Sequence, residues 1–131
     1  MDYNQYVQSA QQAAKHVEAG EHEQALAIFR SLVDSDISDL DKALMCYNMA
    51  LVHEMRKREQ DAISFYDRGV SYERLHGCHF VAEHRAGYFS RLGRDRESLR
   101  LYEDLLLRPS LTEEEKYRIR SNIDLLRDRI G

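Results

Sequence analysis

Apolar side chains along this chain recur at steps of three and four residues, the spacing of one helix face, and not in the alternation of a strand. Ala25, Ile28, Phe29 and Leu32 form one such stripe. Ala62, Phe65, Tyr66 and Gly69 form a second, and Leu101, Tyr102 and Leu105 a third. A single proline, Pro109, and six glycines leave long stretches free for helix. The pattern predicts an all-α chain of seven helices, at roughly 3–19, 22–34, 39–57, 59–75, 79–92, 95–108 and 112–130. Short turns make sequential helices antiparallel neighbours. Gly20 and Gly93 fall just past predicted helix ends, where a left-handed residue is easily supplied by glycine, and Lys57 occupies the same place in the middle of the chain. Thr112 with Glu115 reads as a capping box, and Glu113 and Glu114 add negative charge to that helix's first turn.

Aligning the turns exposes an internal repeat. Gly20-Glu-His-Glu-Gln-Ala25-Leu-Ala-Ile-Phe29, Lys57-Arg-Glu-Gln-Asp-Ala62-Ile-Ser-Phe-Tyr66 and Gly93-Arg-Asp-Arg-Glu-Ser98-Leu-Arg-Leu-Tyr102 keep a small residue and an aromatic at fixed offsets. Small residues at Ala25, Ala62 and Ser98, and at Ala13, Ala50 and Ala86 on the preceding helices, allow two helices to cross closely, while Phe29, Tyr66 and Tyr102 fill the adjoining space. The period, close to the ~34 residues of tetratricopeptide repeats, and the residues quoted make the whole chain resemble that family. The resemblance implies a right-handed α-solenoid of three antiparallel helix pairs (roughly 3–36, 39–76 and 79–110) closed by a capping helix at 112–130, all within one domain. Ile119, Ile123, Leu126 and Ile130 give that last helix an apolar stripe suited to covering the third pair, with Arg118, Arg120, Arg127 and Asp128 mostly outside it. The first helices of the pairs depart from the family pattern. Ser9, Cys46 and Ala82 replace an early large aromatic, and Gln12, Met49 and Arg85 replace a leucine. At Arg85 either the stem snorkels or the register shifts by one residue.

A length of 131 residues suits one domain able to bury a core without disulfides or metal. Cys46 and Cys78 lie far apart with no C-x-x-C spacing, the first residues lack the basic start and apolar run of a leader, and no apolar run is long enough to span a membrane. A reduced, cytoplasmic protein with no membrane insertion is the expectation. A net charge of −4 argues against nucleic acid as a partner. That charge is uneven: residues 1–65 carry 6 basic and 11 acidic groups, residues 66–131 carry 13 and 12. Of the 19 basic residues 15 are arginine, gathered largely in the second half.

Six histidines invite a search for chemistry. His16 and His53 occupy equivalent repeat positions, with Phe89 at the third, which favours packing. His76-Gly77-Cys78-His79, with His84 a turn further on, holds the ligand types zinc prefers but lacks the paired spacings. No phosphate-binding, dinucleotide, zinc-protease or nucleophile-elbow motif occurs. The expectation is a non-enzymatic chain without catalytic residues, metal or cofactor.

In the tetratricopeptide family the first helix of each pair lines a concave face that binds peptide segments. Carried onto this chain, the resemblance implies a groove of Val7, Ala10, Ala14 and Val17, then Leu44, Tyr47, Asn48, Leu51 and Met55, then Phe80, His84 and Arg91. Asn48 matches the central asparagine of the family's carboxylate clamp. Ala10, Ala14, Phe80 and His84 stand where its other polar and cationic groups are expected, which disfavours a clamp. Asn48 either bonds a peptide backbone or satisfies its own helix. The apolar groove residues either receive a partner or pack along the inner curve. The leading expectation is a scaffold, adaptor or chaperone-like module that takes an apolar or amphipathic protein segment. Two alternatives stand beside it: self-assembly through an exposed N-terminal flank at Tyr3, Tyr6 and Val7, giving a homo-oligomer, and an arginine-rich site for an acidic partner around Arg91, Arg94, Arg96 and Arg100.

Overall fold

The computed structural model describes residues 1–131 and is all-α, with seven helices and no strand: α1 (Tyr3–Glu18), α2 (His22–Val33), α3 (Asp39–Met55), α4 (Glu59–Arg74), α5 (Phe80–Arg91), α6 (Asp95–Leu106) and α7 (Glu113–Ile130). Each expected helix is present, most of them shorter by one or two residues at an end. Lys57 lies outside α3 because its backbone turns left-handed, and Thr112 stands before α7 as its N-cap. No helix is long and apolar enough to cross a membrane.

Three turns share one backbone design. Gly20, Lys57 and Gly93 have φ of 75°, 57° and 78°. In each, that residue's N–H donates to the carbonyl three residues back (Val17, Glu54, Ser90), at 3.0 Å each time. The next N–H reaches five residues back, to His16, His53 or Phe89, at 2.8–2.9 Å. These bonds satisfy carbonyls that a helix end leaves open and reverse the chain within three residues. The following helix then starts identically in all three, with the N–H of Ala25, Ala62 or Ser98 donating to Glu21, Arg58 or Arg94.

The chain divides into two compact units, Met1–Glu73 and Arg74–Gly131. In the first, α1 packs on α2 and α2 on α3. Its core joins Tyr6 and Ala13 from α1, Ala25, Leu26, Phe29, Leu32 and Val33 from α2, and Met45, Cys46, Met49 and Val52 from α3. Asp2 opens α1 with a capping box shared with Gln5, a start the apolar pattern does not mark. In the second unit α5 packs on α6 and α6 on α7. Ser98, fully buried, donates its hydroxyl to the Ala86 carbonyl at 2.7 Å, so α5 and α6 meet at side chains no larger than a hydroxymethyl. Ile119, Ile123 and Leu126 of α7 are buried, and the Thr112–Glu115 capping box forms as the sequence predicts. The arginines beside that stripe are not idle. Arg118 forks onto Glu83 of α5 at 3.0 and 3.3 Å, Arg127 meets Glu103 of α6 at 3.0 Å, and Arg129 reaches Ser90 and Asp95. On α5 the buried side comprises Val81, Ala82, Ala86, Tyr88 and Phe89, with Arg85 half-buried, so the register of that helix stands and the arginine lies at the core's edge.

A left-handed backbone costs a residue with a Cβ about 1–2 kcal/mol, and Lys57 is the one non-glycine residue with positive φ. Lys57→Gly is expected to stabilise the protein by up to about 1 kcal/mol. Gly20→Ala and Gly93→Ala are expected to cost about 1 kcal/mol or more each. Chemical denaturation of the three variants measures both signs.

Candidate functional site

Both α1 and α3 pack against α2. Between them opens a concavity of about 260 Å³. Ala10, Ala14, Val17 and Glu18 form one wall, Asn48, Leu51, Val52 and Met55 the other, and Phe29 of α2 contributes from the core. Helical spacing explains both walls, since residues three and four apart share a face. The two alanines leave the space that larger side chains would occupy. Val52 and Phe29 are buried, Leu51 is half-buried, and Met55 is 57% exposed, placing a flexible thioether at the rim.

Two polar groups interrupt this apolar surface. Asn48 is half-buried and its amide has no hydrogen-bond partner within the chain. A carboxamide carries donors and acceptors, so Asn48 does not satisfy its own helix and offers both to whatever enters. Glu18 is exposed, makes no ion pair within the chain, and is the one charged residue of the lining.

Of the groove residues expected from the sequence, Ala10, Ala14, Val17, Asn48, Leu51 and Met55 come together here. Val7 packs against the core instead, Leu44 is exposed outside the lining, and the Tyr47 ring lies 6.2 Å from that of Tyr66. Phe80, His84 and Arg91 belong to the second unit. There the Phe80 ring tilts against His84 at 4.5 Å, and Arg91 lies over the Tyr88 ring at 5.7 Å. Glu18, Phe29 and Val52 were missing from the expected set. Glu18 sits one helical turn beyond Ala14, a spacing sufficient to find it.

The N-terminal flank is less apolar than expected. Tyr3 is exposed, but Tyr6 is a core residue, and burial together with the Asp41 carboxylate pushes its phenol up to about 12. The arginine group is likewise partly committed: Arg94 forks onto Glu97 at 2.7 Å, and Asp95 pairs with Arg129. Arg96 and Arg100 make no hydrogen bond or ion pair within the chain, although Arg100 adds to the positive field on Glu97.

The histidines take packing and tethering positions. His53 is buried, stacked on Phe65 at 5.4 Å and 6°, with neither ring nitrogen hydrogen-bonded and the Asp61 carboxylate 3.9 Å away. Burial, reinforced by Arg56, Arg58 and Arg30 and opposed by Asp61, holds its pKa below the ordinary histidine value. His16, at the equivalent position, is only half-buried and meets Glu21 at 3.0 Å. His79 is buried, with Nε2 2.7 Å from the Ser110 hydroxyl and Nδ1 accepting from Arg108 at 3.3 Å. Since arginine only donates, the proton sits on Nε2 and points at Ser110. Burial first and Arg108 second lower its pKa. No group of three or more histidine, cysteine, aspartate or glutamate side chains converges in a way that would hold a metal ion.

Comparison with known proteins adds one family. The family described as a domain of unknown function (DUF6340) matches residues 11–92, more than half of the chain, including both walls of the concavity save Ala10. No curated protein matches.

Both buried histidines have folded pKa values below the unfolded value of about 6.5. The unfolded chain therefore takes up protons first as pH falls. Stability is full above about pH 6.5 and declines below it until the folded pKa values are reached. His53→Phe, which installs the residue of the third repeat, is expected to remove one proton's share of that slope, at most about 1.4 kcal/mol per pH unit. At pH 7 it is expected to raise stability by about 1 kcal/mol, because two unbonded buried nitrogens disappear. Thermal unfolding between pH 5 and 7.5 tests both effects.

Proposed function

The chain belongs to the DUF6340 family, and we propose that it is a non-enzymatic protein-binding module that holds a partner by an apolar or amphipathic segment seated between α1 and α3. The observation that carries this reading is the unbonded Asn48 amide in the wall of an open concavity that is apolar apart from Asn48 and Glu18. Asn48 is half-buried, and a segment that covered it would incur the cost of a buried unpaired polar group unless its own peptide group supplied the partner. The concavity is small beside the roughly 300–1,000 Å³ of ligand pockets. It suits the side chains of a segment better than a whole cofactor.

The reading extends to architecture. Three turns with the same left-handed residue and the same hydrogen bonds support a tetratricopeptide-like repeat, and hence a right-handed solenoid in which α7 serves as the cap. Two free cysteines, one of them Cys46 with its thiol pKa pushed up by burial, fit a reduced cytoplasmic setting. Groups with shifted pKa values are buried in packing or held in ion pairs, as a scaffold requires.

Leu51→Asp places a charge on the wall of the concavity at a half-buried position. It is expected to reduce capture of the native partner from a source extract at least about tenfold, the effect of losing one well-buried apolar contact. Helix content by circular dichroism is expected to stay unchanged. Unaltered capture by a folded Leu51→Asp protein would remove the concavity as the binding site.

A further inference from the structure

We infer that the segment held between α1 and α3 is an extended, cationic one: apolar side chains enter the concavity while a neighbouring lysine or arginine meets Glu18. The inference rests on the concavity being the binding site and adds the class of partner.

Three observations converge. Glu18 is the one charged residue lining the concavity, is exposed, and is unpaired within the chain. Other acidic residues nearby in sequence have partners: Glu21 meets His16, and Glu23 meets Arg56. The first unit as a whole carries 7 basic against 13 acidic residues, a net charge of −6, whereas the second carries 12 against 10. A field of that sign draws cationic segments to the first unit and repels acidic ones. Lys57 and Arg58 follow α3 in the turn and do not line the concavity. The extended conformation follows from Asn48. Its amide presents donor and acceptor together, the complement of the N–H and C=O that an extended backbone leaves open and a helix uses internally.

The test uses the full 131-residue protein and three fluorescein-labelled nonapeptides. Each has a central Leu-Phe pair in a serine background, flanked by lysines, serines or glutamates. Fluorescence anisotropy at low salt is expected to rank them lysine, serine, glutamate, with the lysine peptide bound about fivefold tighter than the serine peptide, the effect of one partly exposed ion pair. Glu18→Lys is expected to reverse the order of the lysine and glutamate peptides, and Leu51→Asp to lose all three. Equal binding of the lysine and serine peptides, still dependent on Leu51, overturns the cationic assignment and leaves the concavity as the binding site. A lysine preference that survives Glu18→Lys overturns it too, because net charge alone would then be responsible. Failure of all three peptides to bind the unmodified protein overturns both the inference and the proposed site.

Discussion

The arrangement of these helices depends on how closely two of them approach at one small residue beyond each turn. Ala25, Ala62 and Ser98 each lie five residues past a left-handed turn, and none has any exposed surface. The turn sets the direction in which the chain returns, and the small side chain sets how near it comes. Ser98 shows the limit most directly, because its hydroxyl bonds the Ala86 carbonyl of the opposing helix, leaving no room for a larger group. Extra methylenes in such a place typically cost about 1–3 kcal/mol. Neither feature suffices alone: a left-handed turn followed by a bulky residue would splay the pair, and a small residue without the turn would have nothing to meet.

Once that frame exists, the aromatic four residues after the small one acquires a place, and its chemistry decides its use. Phe29 has no polar atom and reaches the concavity from the core. Tyr66 occupies the same repeat position, and its hydroxyl donates to Glu54 while its ring faces Tyr47. Tyr102 lies close to Gly87, where an added Cβ would stand 3.5 Å from the hydroxyl. The histidine position varies in the same way. Its carbonyl always closes the turn, so the backbone role is fixed, while the side chain ranges from the half-exposed His16 to the buried His53 and Phe89. Repetition constrains the backbone and the small contacts and leaves the other side chains free to diverge.

This division explains which features are legible in the amino-acid sequence. Helix ends and turns were legible because their signals are local: glycine past an end, Thr112 with Glu115, and a small residue and an aromatic at fixed offsets. Half of the expected groove residues do line the concavity for the same reason, since helical spacing fixes which residues share a face. What periodicity cannot report is which other helix covers that face. Tyr6 reads as an exposed flank and is core, because residues of α2 and α3 cover it, with Asp41, 35 positions later, against its phenol. Arg118 and Arg127 read as a solvated edge and instead bridge to residues 35 and 24 positions earlier. What marks Glu18 out from other surface carboxylates is the lining it shares with Ala14 and Met55.

The charges of the two units therefore have different meanings. In the second unit the arginines are abundant, but several are spent on Glu83, Glu103, Asp95 and Glu97, pairs that fix α7 and the start of α6 and leave less for a partner. In the first unit the excess is acidic, and Glu18 stands uncommitted beside apolar surface. On the proposed binding reading, affinity and selectivity there come from different groups. Burying one Leu- or Phe-sized side chain contributes roughly 1.5–3 kcal/mol, while association costs an estimated 4–15 kcal/mol, so a concavity of this size supports a weak, reversible contact unless the partner extends beyond it. An exposed ion pair adds about 1 kcal/mol or less. That is too little to hold a segment, but enough to favour one segment over another once the apolar contact brings it to the wall.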